Sequence, residues 1–383
     1  MIAPGAGAVI GLLGGGQLGR MFTMAAHGMG YQVWVIDPDP ESPAGRIADR
    51  HFRVDYLNPE MLREVAEHCS VVTTEFENVP AEALAALALN TPVRPSPSAV
   101  RIVQDRIAEK TFLQAHGIPT TRFAEVTQPE DFPTAWQRVG GPAILKTSRL
   151  GYDGKGQENV DSLEQLSIAF AKLGRVPCVL ERRLDLELEI SVILARTESG
   201  LTAAYPPGEN RHANGILDTT VVPARIPEQL ALQAIHWTTS IAHELHYVGV
   251  IGVEFFVADG GRLYANEIAP RPHNSGHYTL DAALTSQFEQ QVRAICGLPL
   301  GSSALHSAAA MANLLGELWS EGSPRWDEAL HDPNVKLHLY GKVEPRPGRK
   351  MGHLNALAHS PDIALDRVRS ARLSLGQQLS GAR

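Results

Sequence analysis

Short runs of β-branched and apolar residues alternate with stretches of helical periodicity through the first hundred residues. The alternation predicts strands over 8–13, 32–37 and 70–75, helices over 17–28, 59–68 and 81–89, and a short fourth strand at Val93. This order implies a doubly wound parallel sheet, because parallel neighbours are joined only by a crossover packed on a sheet face. The proline-punctuated stretch at 94–98 (RPSPS) closes this unit. A helix is predicted over 98–116, ending at Gly117 with Pro119 beyond it. A buried strand from Ala143 then runs into a glycine-rich turn ending at Gln157, strands follow over 176–181 and 187–194, and a long helix covers 227–245. Residues 249–269 have the form of a β-hairpin. Beyond about Ala308 come short strands such as 336–339, a basic cluster over 342–353 and a terminal helix.

Composition narrows the class. A chain of 383 residues is long enough for two or three domains, each with its own core. With 44% hydrophobic and 20% charged residues it reads as a soluble globular protein. The net charge of −8, with no long basic run, repels nucleic acid and anionic membrane surfaces. Any anionic substrate must therefore be held by a local cluster of donors. The glycine-broken N-terminus reads as a first strand instead of an export signal, and no apolar run reaches the length of a membrane span. Cys69, Cys178 and Cys296 lack zinc-ligand spacing and read as buried reduced thiols of a cytoplasmic protein.

Gly14-x-Gly16-x-x-Gly19 follows the first strand and opens the first helix, and Asp37 ends the next strand. This is the dinucleotide-binding signature, in which glycines let a pyrophosphate approach a helix N-terminus. The same glycines serve any tight strand-to-helix turn. The chain beyond them favours that structural role over a nicotinamide site, leaving Gly16, Gln17 and Leu18 as backbone donors to a phosphate of another ligand.

The hairpin carries the sharpest signal. With a two-residue loop at Gly260-Gly261, where both residues can take φ > 0, Asp259 faces Arg262 and Glu254 faces Glu267. Like charges directly opposite in a sheet are destabilising. A divalent cation is the expected offset, and two carboxylates with neighbouring Asn266 fit a magnesium–nucleotide site. A longer loop would shift this register. Lys146, ending an apolar strand, is a point charge for a phosphate. The run Gly151-Tyr152-Asp153-Gly154-Lys155-Gly156-Gln157 makes a flexible loop whose N–H groups can wrap an anion. Glu181 and Glu189 are candidate acceptors for adenine and ribose. Directly after the hairpin, Arg271-Pro272-His273-Asn274-Ser275-Gly276-His277 concentrates polar groups beyond what packing requires.

The order of these pieces resembles the ATP-grasp ligases. Within them, GGGQLGRM at 14–21, TTEFENV at 73–79, GYDGKGQ at 151–157, NEIAPRPHNSGH at 266–277 and PGRKMGHLN at 347–355 resemble the N5-carboxyaminoimidazole ribonucleotide synthetases, over nearly the whole chain. These are the ATPase subunits of phosphoribosylaminoimidazole carboxylase. The related formate-dependent glycinamide ribonucleotide transformylase typically has Asp-Thr-Gly where Asn274-Ser275-Gly276 stands here, and biotin carboxylase has a longer lid.

The resemblance implies a preATP-grasp unit over 1–100, an ATP-grasp unit over 101–305 with a lid at about 119–182, and a C-terminal unit over 306–383. It implies that Arg106 and Lys146 contact nucleotide phosphates and that 151–157 is the lid. Glu181, Arg182, Arg183, Leu184, Glu189, His212, Asn266 and Glu267 would line the ATP site, with the two hinge arginines acting through backbone groups. Glu254 and Glu267 would hold magnesium, as two ions. Aminoimidazole ribonucleotide is expected near Gly16, Gln17, Leu18, Glu75, Tyr152, Asp153, Lys155, Lys342 and Arg349. The implied reaction joins ATP, bicarbonate and aminoimidazole ribonucleotide through carboxyphosphate, in purine biosynthesis. Arg271 and Asn274 would position bicarbonate, His273 would take the amine proton, and the enzyme would be a homodimer, as family members often are. The competing readings are another acyl-phosphate ligase of the same fold, an NAD-dependent oxidoreductase, and a nucleotide sensor without turnover.

Overall fold

The computed structural model of the chain describes residues 1–5, 7–151, 154–320 and 322–376. Strand β1 (Val9–Leu13), helix α1 (Gln17–Gly28), strands β2 (Gln32–Ile36) and β3 (Arg50–Phe52), helix α2 (Pro59–His68), strand β4 (Val71–Thr74) and helix α3 (Ala81–Leu87) build the first unit. Its four strands are parallel, in the order β3-β2-β1-β4. Both faces are covered: Ile10, Leu12, Val33 and Val35 pack with Phe22 of α1, while Val9, Leu13, Ile36 and Val72 pack with Met61, Val65, Leu84 and Leu87. Strand β3 escapes the sequence pattern because it is three residues long and carries Arg50 and His51. Val93 forms only an isolated parallel bridge to Val72.

The helix predicted over 98–116 is two helices, α4 (Pro97–Val103) and α5 (Arg106–Ala115). Asp105 breaks them apart: its backbone is extended and its side chain accepts from the N–H groups of Ile107 and Ala108, capping α5. The break turns Arg106, Glu109 and Lys110 towards the hairpin.

A smaller antiparallel sheet follows, made by β5 (Phe123–Val126), α6 (Phe132–Val139), β6 (Ala143–Thr147), β7 (Gln157–Val160), α7 (Leu163–Lys172) and β8 (Cys178–Arg182), with strand order β5-β8-β6-β7. The glycine loop joins β6 to β7. The remaining elements are β9 (Leu186–Arg196), β10 (Thr202–Ala204), β11 (Gly208–Ala213), β12 (Ile216–Val222), α8 (Glu228–Glu244), β13 (Gly249–Ala258), β14 (Arg262–Ala269), α9 (Thr279–Ala282), α10 (Gln287–Ile295), β15 (Ala308–Leu315), α11 (Trp326–Ala329), β16 (Val335–Leu339), β17 (Lys350–Ala358) and α12 (Pro361–Ser374). Their strands form one sheet in the order β14-β13-β9-β11-β12-β15-β17-β16, with β10 on β9. The C-terminal strands thus extend the large sheet through the β12–β15 pairing. Apolar side chains of β9, β13 and β14 pack with α5 and α8, and α12 covers β15 and β17. Among the described residues no helix is long and apolar enough to cross a membrane.

Candidate active site

The hairpin loop is one residue longer than its glycines suggest. Asp259, Gly260 and Gly261 all take positive φ, and Ala258 pairs with Arg262. That shift alone would move Glu254 away from Glu267. A bulge at Asn266 reverses it: Phe255 pairs with Ala265, and Glu254 pairs with Glu267. The predicted carboxylate pair is therefore present, through two irregularities that cancel.

Strand β14 is a sheet edge, and α5 satisfies the backbone groups around the bulge. The Ile268 N–H donates to Glu109 Oε1 at 2.6 Å, and Lys110 Nζ reaches the Asn266 carbonyl at 3.4 Å. One step from Lys110, Glu181 Oε1 lies at 3.4 Å, and Lys146 Nζ binds Glu181 Oε2 at 3.0 Å. Glu181 is thus turned inward onto two ammonium groups instead of towards an adenine. Burial raises its carboxyl, but Lys110 and Lys146 prevail and hold it down at about 2. Arg106 Nη1 sits 3.0 Å from Glu267 Oε2. Burial pushes the Glu254 carboxyl up to about 7, His212 opposing and the Glu267 and Glu189 charges adding. His212 Nδ1 in turn binds Glu189 Oε2 at 2.8 Å. The Asn266 Oδ1 atom is buried without a hydrogen-bond partner.

The segment 271–277 brings His273 back against β13 of the hairpin. Arg271 Nε donates to Glu77 Oε2 at 2.6 Å. Both amide atoms of Asn274 are buried and unpartnered, which leaves them free to hydrogen-bond a small polar ligand. His273 Nε2 lies 3.5 Å from Glu254 Oε1. Its Nδ1 accepts from the Ser275 N–H and pairs with the Ser275 hydroxyl, which also meets Ser191. An Nδ1 that accepts a backbone N–H leaves the ring proton on Nε2, so His273 is a donor towards the hairpin. Burial and the Arg271 charge push its pKa down to about 3, which keeps the ring neutral. The geometry thus disagrees with the expected proton-accepting role: the nitrogen facing the site already carries a proton.

The N-terminal glycine turn is filled from inside. Glu75 accepts from the N–H groups of Gly16 (2.6 Å) and Gly19 (2.9 Å), and Asp37 accepts from Gly15 at 2.6 Å. A methyl group on Gly16 would meet Glu75 Oε1 at 2.8 Å. An internal carboxylate occupies the place a pyrophosphate takes in dinucleotide folds. The Gly16 N–H expected to meet a ribonucleotide phosphate is therefore bound to Glu75. Gln17 instead offers its side chain, whose Oε1 accepts from Lys342 Nζ at 2.7 Å. Lys342 thus reaches the first unit, whereas Arg349 Nη1 binds back to the Glu344 carbonyl. The described part of the lid, Gly151 with Gly154, Lys155, Gly156 and Gln157, closes on Thr147, and a Cβ on Gly154 would meet Gly215 at 3.1 Å. Tyr152 and Asp153 lie outside the described residues. At the hinge, Arg183 turns away to Asp161 and the Arg182 carbonyl accepts from Thr121; Leu184 follows in the link to β9.

A family profile for the ATP-grasp domain matches residues 111–288, one for the ribonucleotide synthetase preATP-grasp domain matches 8–104, and one for the phosphoribosylaminoimidazole carboxylase C-terminal domain matches 309–367. The N5-carboxyaminoimidazole ribonucleotide synthase of Brucella melitensis is 45% identical over 353 residues, covering 92% of this chain and 96% of that one. The chain belongs to the N5-carboxyaminoimidazole ribonucleotide synthetase family. It is an ATP-grasp ligase. The Thermus thermophilus synthetase superposes with a TM-score of 0.90 at 40% identity, covering 97% of this chain and 100% of that one. The Aspergillus clavatus enzyme, in complex with ADP and 5-aminoimidazole ribonucleotide, superposes with a TM-score of 0.88 at 31% identity, over 96% and 98% of the two chains.

Four residues of this synthetase's site went unnamed in the sequence reading. Glu77 lay inside the quoted TTEFENV motif, but nothing in sequence marked it as the partner of Arg271. Glu109 and Lys110 lie in the helix predicted over 98–116, where nothing in the sequence marks them apart from other charged helix positions. Lys350 opens β17 inside the quoted PGRKMGHLN motif, and its charge acts on Glu254, His212 and His273.

Proposed function

We propose that the synthetase couples ATP cleavage to carboxylation of 5-aminoimidazole ribonucleotide. A bicarbonate oxygen attacks the γ-phosphorus as the bond to ADP breaks, giving carboxyphosphate. Carboxyphosphate loses CO2 and phosphate, and the exocyclic amine captures the CO2 carbon and sheds a proton. One observation carries the reading: Glu267 faces Arg106 while Glu254, opposite it, faces His273. The nucleotide end and the bicarbonate end of the reaction thereby meet at a single cross-strand pair.

Arg106 and Lys146 supply positive charge to the phosphates, and the loop 151–157 excludes water from an intermediate that hydrolyses readily. Arg271, locked by Glu77, and the unpartnered Asn274 amide orient bicarbonate and then carboxyphosphate. Neutral His273 donates from Nε2, and Lys350 adds a positive charge that acts on Glu254, His212 and His273. Glu189 and His212 take the ribose side, while Gln17 and Lys342 receive the ribonucleotide phosphate.

The donor set fits magnesium. The two carboxylates stand on paired positions of the hairpin with a buried, unpartnered Asn266 oxygen on the adjoining residue, and burial, with the Glu267 and Glu189 charges adding, leaves Glu254 short of positive partners that a cation would supply. Among the described residues no group of three or more His, Cys, Asp or Glu side chains forms a metal site, so the remaining ligands would be substrate phosphates and water. When bound, magnesium neutralises charge along the phosphates. We place the enzyme in the cytoplasm, where its three buried unpaired thiols suit a reducing milieu, and expect a homodimer.

The test is phosphate release with ATP, bicarbonate and aminoimidazole ribonucleotide omitted in turn. Turnover should need all three, and formate with glycinamide ribonucleotide should not replace the last two. Turnover with that pair instead would assign the chain to the sibling transformylase reaction.

A further inference from the structure

Helix α10 buries three glutamines, Gln287, Gln290 and Gln291, each at most 1% exposed. Polar amides this deep need hydrogen-bond partners, and here all but one of the principal ones are backbone groups. Gln290 clips both the N–H and the C=O of Gly301. Gln291 takes the Val250 N–H and donates to Thr73. Gln287 clips His273: its Oε1 accepts the His273 N–H at 2.9 Å, and its Nε2 donates to the His273 carbonyl at 2.8 Å. The same Nε2 lies 3.3 Å from His277 Nδ1.

We infer that Gln287 is a positioning residue, holding the segment from Arg271 to Asn274 so that carboxyphosphate is delivered to the amine and not lost to water. The inference rests on the carboxylation reading above. Two hydrogen bonds to one residue fix both its position and the orientation of its peptide planes, as a strand neighbour would. The neighbourhood is shaped around this clip. A Cβ on Gly276 would stand 2.5 Å from Gln287 Oε1, so glycine there lets the amide reach His273. On the other side, a Cβ on Gly252 would meet the His273 Cβ at 2.8 Å, so glycine in β13 seats the histidine against the hairpin. Ser191 and Ser275 fix the ring, and Gln287 fixes the main chain. The base of the clip is tied as well: the Gln287 N–H donates to Thr279 Oγ1, which donates to the Gly276 carbonyl. With His273 so held, Arg271 and Asn274 on either side have little freedom to drift.

The discriminating readout is the coupling ratio, carboxylated product formed per phosphate released. Loss of a purely structural residue lowers the folded fraction and reduces both rates together, leaving the ratio unchanged. Loss of positioning leaves phosphate release running while carboxyphosphate hydrolyses. Gln287→Ala should lower the ratio roughly tenfold and raise the KM for bicarbonate. Gln287→Glu adds a conservative rescue: the protonated carboxyl can accept from the His273 N–H and donate to its carbonyl, the carboxylate can only accept. Its coupling ratio, relative to the parent at the same pH, should climb as pH falls. Should Gln287→Ala fail to fold, Gly276→Ala displaces the amide without removing it and should also uncouple. Parent-like coupling in Gln287→Ala, or in Gly276→Ala where that variant stands in, overturns the inference, as does a Gln287→Glu ratio indifferent to pH. A parent enzyme with no bicarbonate-dependent turnover would instead sink the carboxylation reading itself.

Discussion

Glu254 and Glu267 stand opposite each other across the β13–β14 ladder because an extra loop residue and an extra strand residue cancel. Side chains alternate faces along a strand, so either irregularity alone would send one carboxylate to the wrong face. The bulge residue is Asn266, and as it restores the register its amide nitrogen comes to 3.5 Å from Glu254 Oε2 while its oxygen stays buried without a partner. A fold that needed only a hairpin would have no use for two opposed irregularities. A fold that must place two acids together does.

The pair makes the metal-free enzyme sensitive to pH. The Glu254 carboxyl rises from 4.5 to about 7 through burial and then its acidic neighbours. Between those values the folded protein holds a proton the unfolded chain has released, so this contribution to stability is full below about pH 4.5 and is lost as pH rises to 7. Glu254→Gln removes the penalty. At pH 8 the metal-free variant should be more stable than the parent by on the order of 2 kcal/mol, with the gap closing at pH 5, while its turnover collapses. Denaturant melts at the two pH values check this; equal stability at both would refute it.

A cation bound between these acids must displace the proton. Binding of magnesium with a non-hydrolysable ATP analogue at pH 6 should therefore release protons, seen as a calorimetric heat that varies with buffer ionisation enthalpy. Release should shrink at pH 8 and vanish in Glu254→Gln. A buffer-independent heat at pH 6 would remove the metal from this position.

Sequence made the doubly wound sheet, the hairpin and the polar loop after it legible because each rests on short-range periodicity or turn chemistry. What it hid was set by tertiary contact. The helix over 98–116 looked continuous because its apolar period is unbroken, and only the Asp105 cap divides it. The hairpin register was reached with the wrong loop length, since a bulge leaves no local mark. Glu181 read as a nucleotide ligand because its two lysine partners lie 71 and 35 residues away along the chain (181 − 110 and 181 − 146). Gln287 carried no signal at all, for a buried glutamine looks like any surface one until its partner is known.

The lysine pair on Glu181 predicts a second titration of opposite sign. Its carboxyl is held at about 2 against 4.5 by Lys110 and Lys146 despite burial, so its contribution is complete above about pH 4.5 and is lost as pH falls towards 2. Lys110→Met leaves Glu181 with one ammonium and should cost roughly 3 kcal/mol at pH 7. Glu181→Gln should flatten the acid limb of the stability curve while leaving two buried lysines in repulsion. Chemical denaturation between pH 3 and pH 7 separates the two, and an unchanged acid limb in Glu181→Gln would discard the ion-pair account.

The glycine turn settles a choice that its sequence left open. In a dinucleotide-binding fold the amides at the start of α1 stay unsatisfied until a pyrophosphate arrives. Here Glu75 and Asp37 satisfy the amides of Gly15, Gly16 and Gly19 from within. Burial keeps the Glu75 carboxyl above its usual range even so, and the Gly16 and Gly19 amides pull it back down. Glu75→Ala therefore removes a desolvated acid but strands one buried and one part-buried donor, and stranded donors dominate such exchanges. The variant should lose about 2 kcal/mol and gain no nicotinamide-cofactor affinity, since the parent has no free turn to offer. Gly16→Ala should be at least as damaging, because its methyl would sit 2.8 Å from Glu75 Oε1 and force the carboxylate out. Saturable quenching of NADH fluorescence by the parent protein, or a Glu75→Ala variant as stable as the parent, would reopen the oxidoreductase reading.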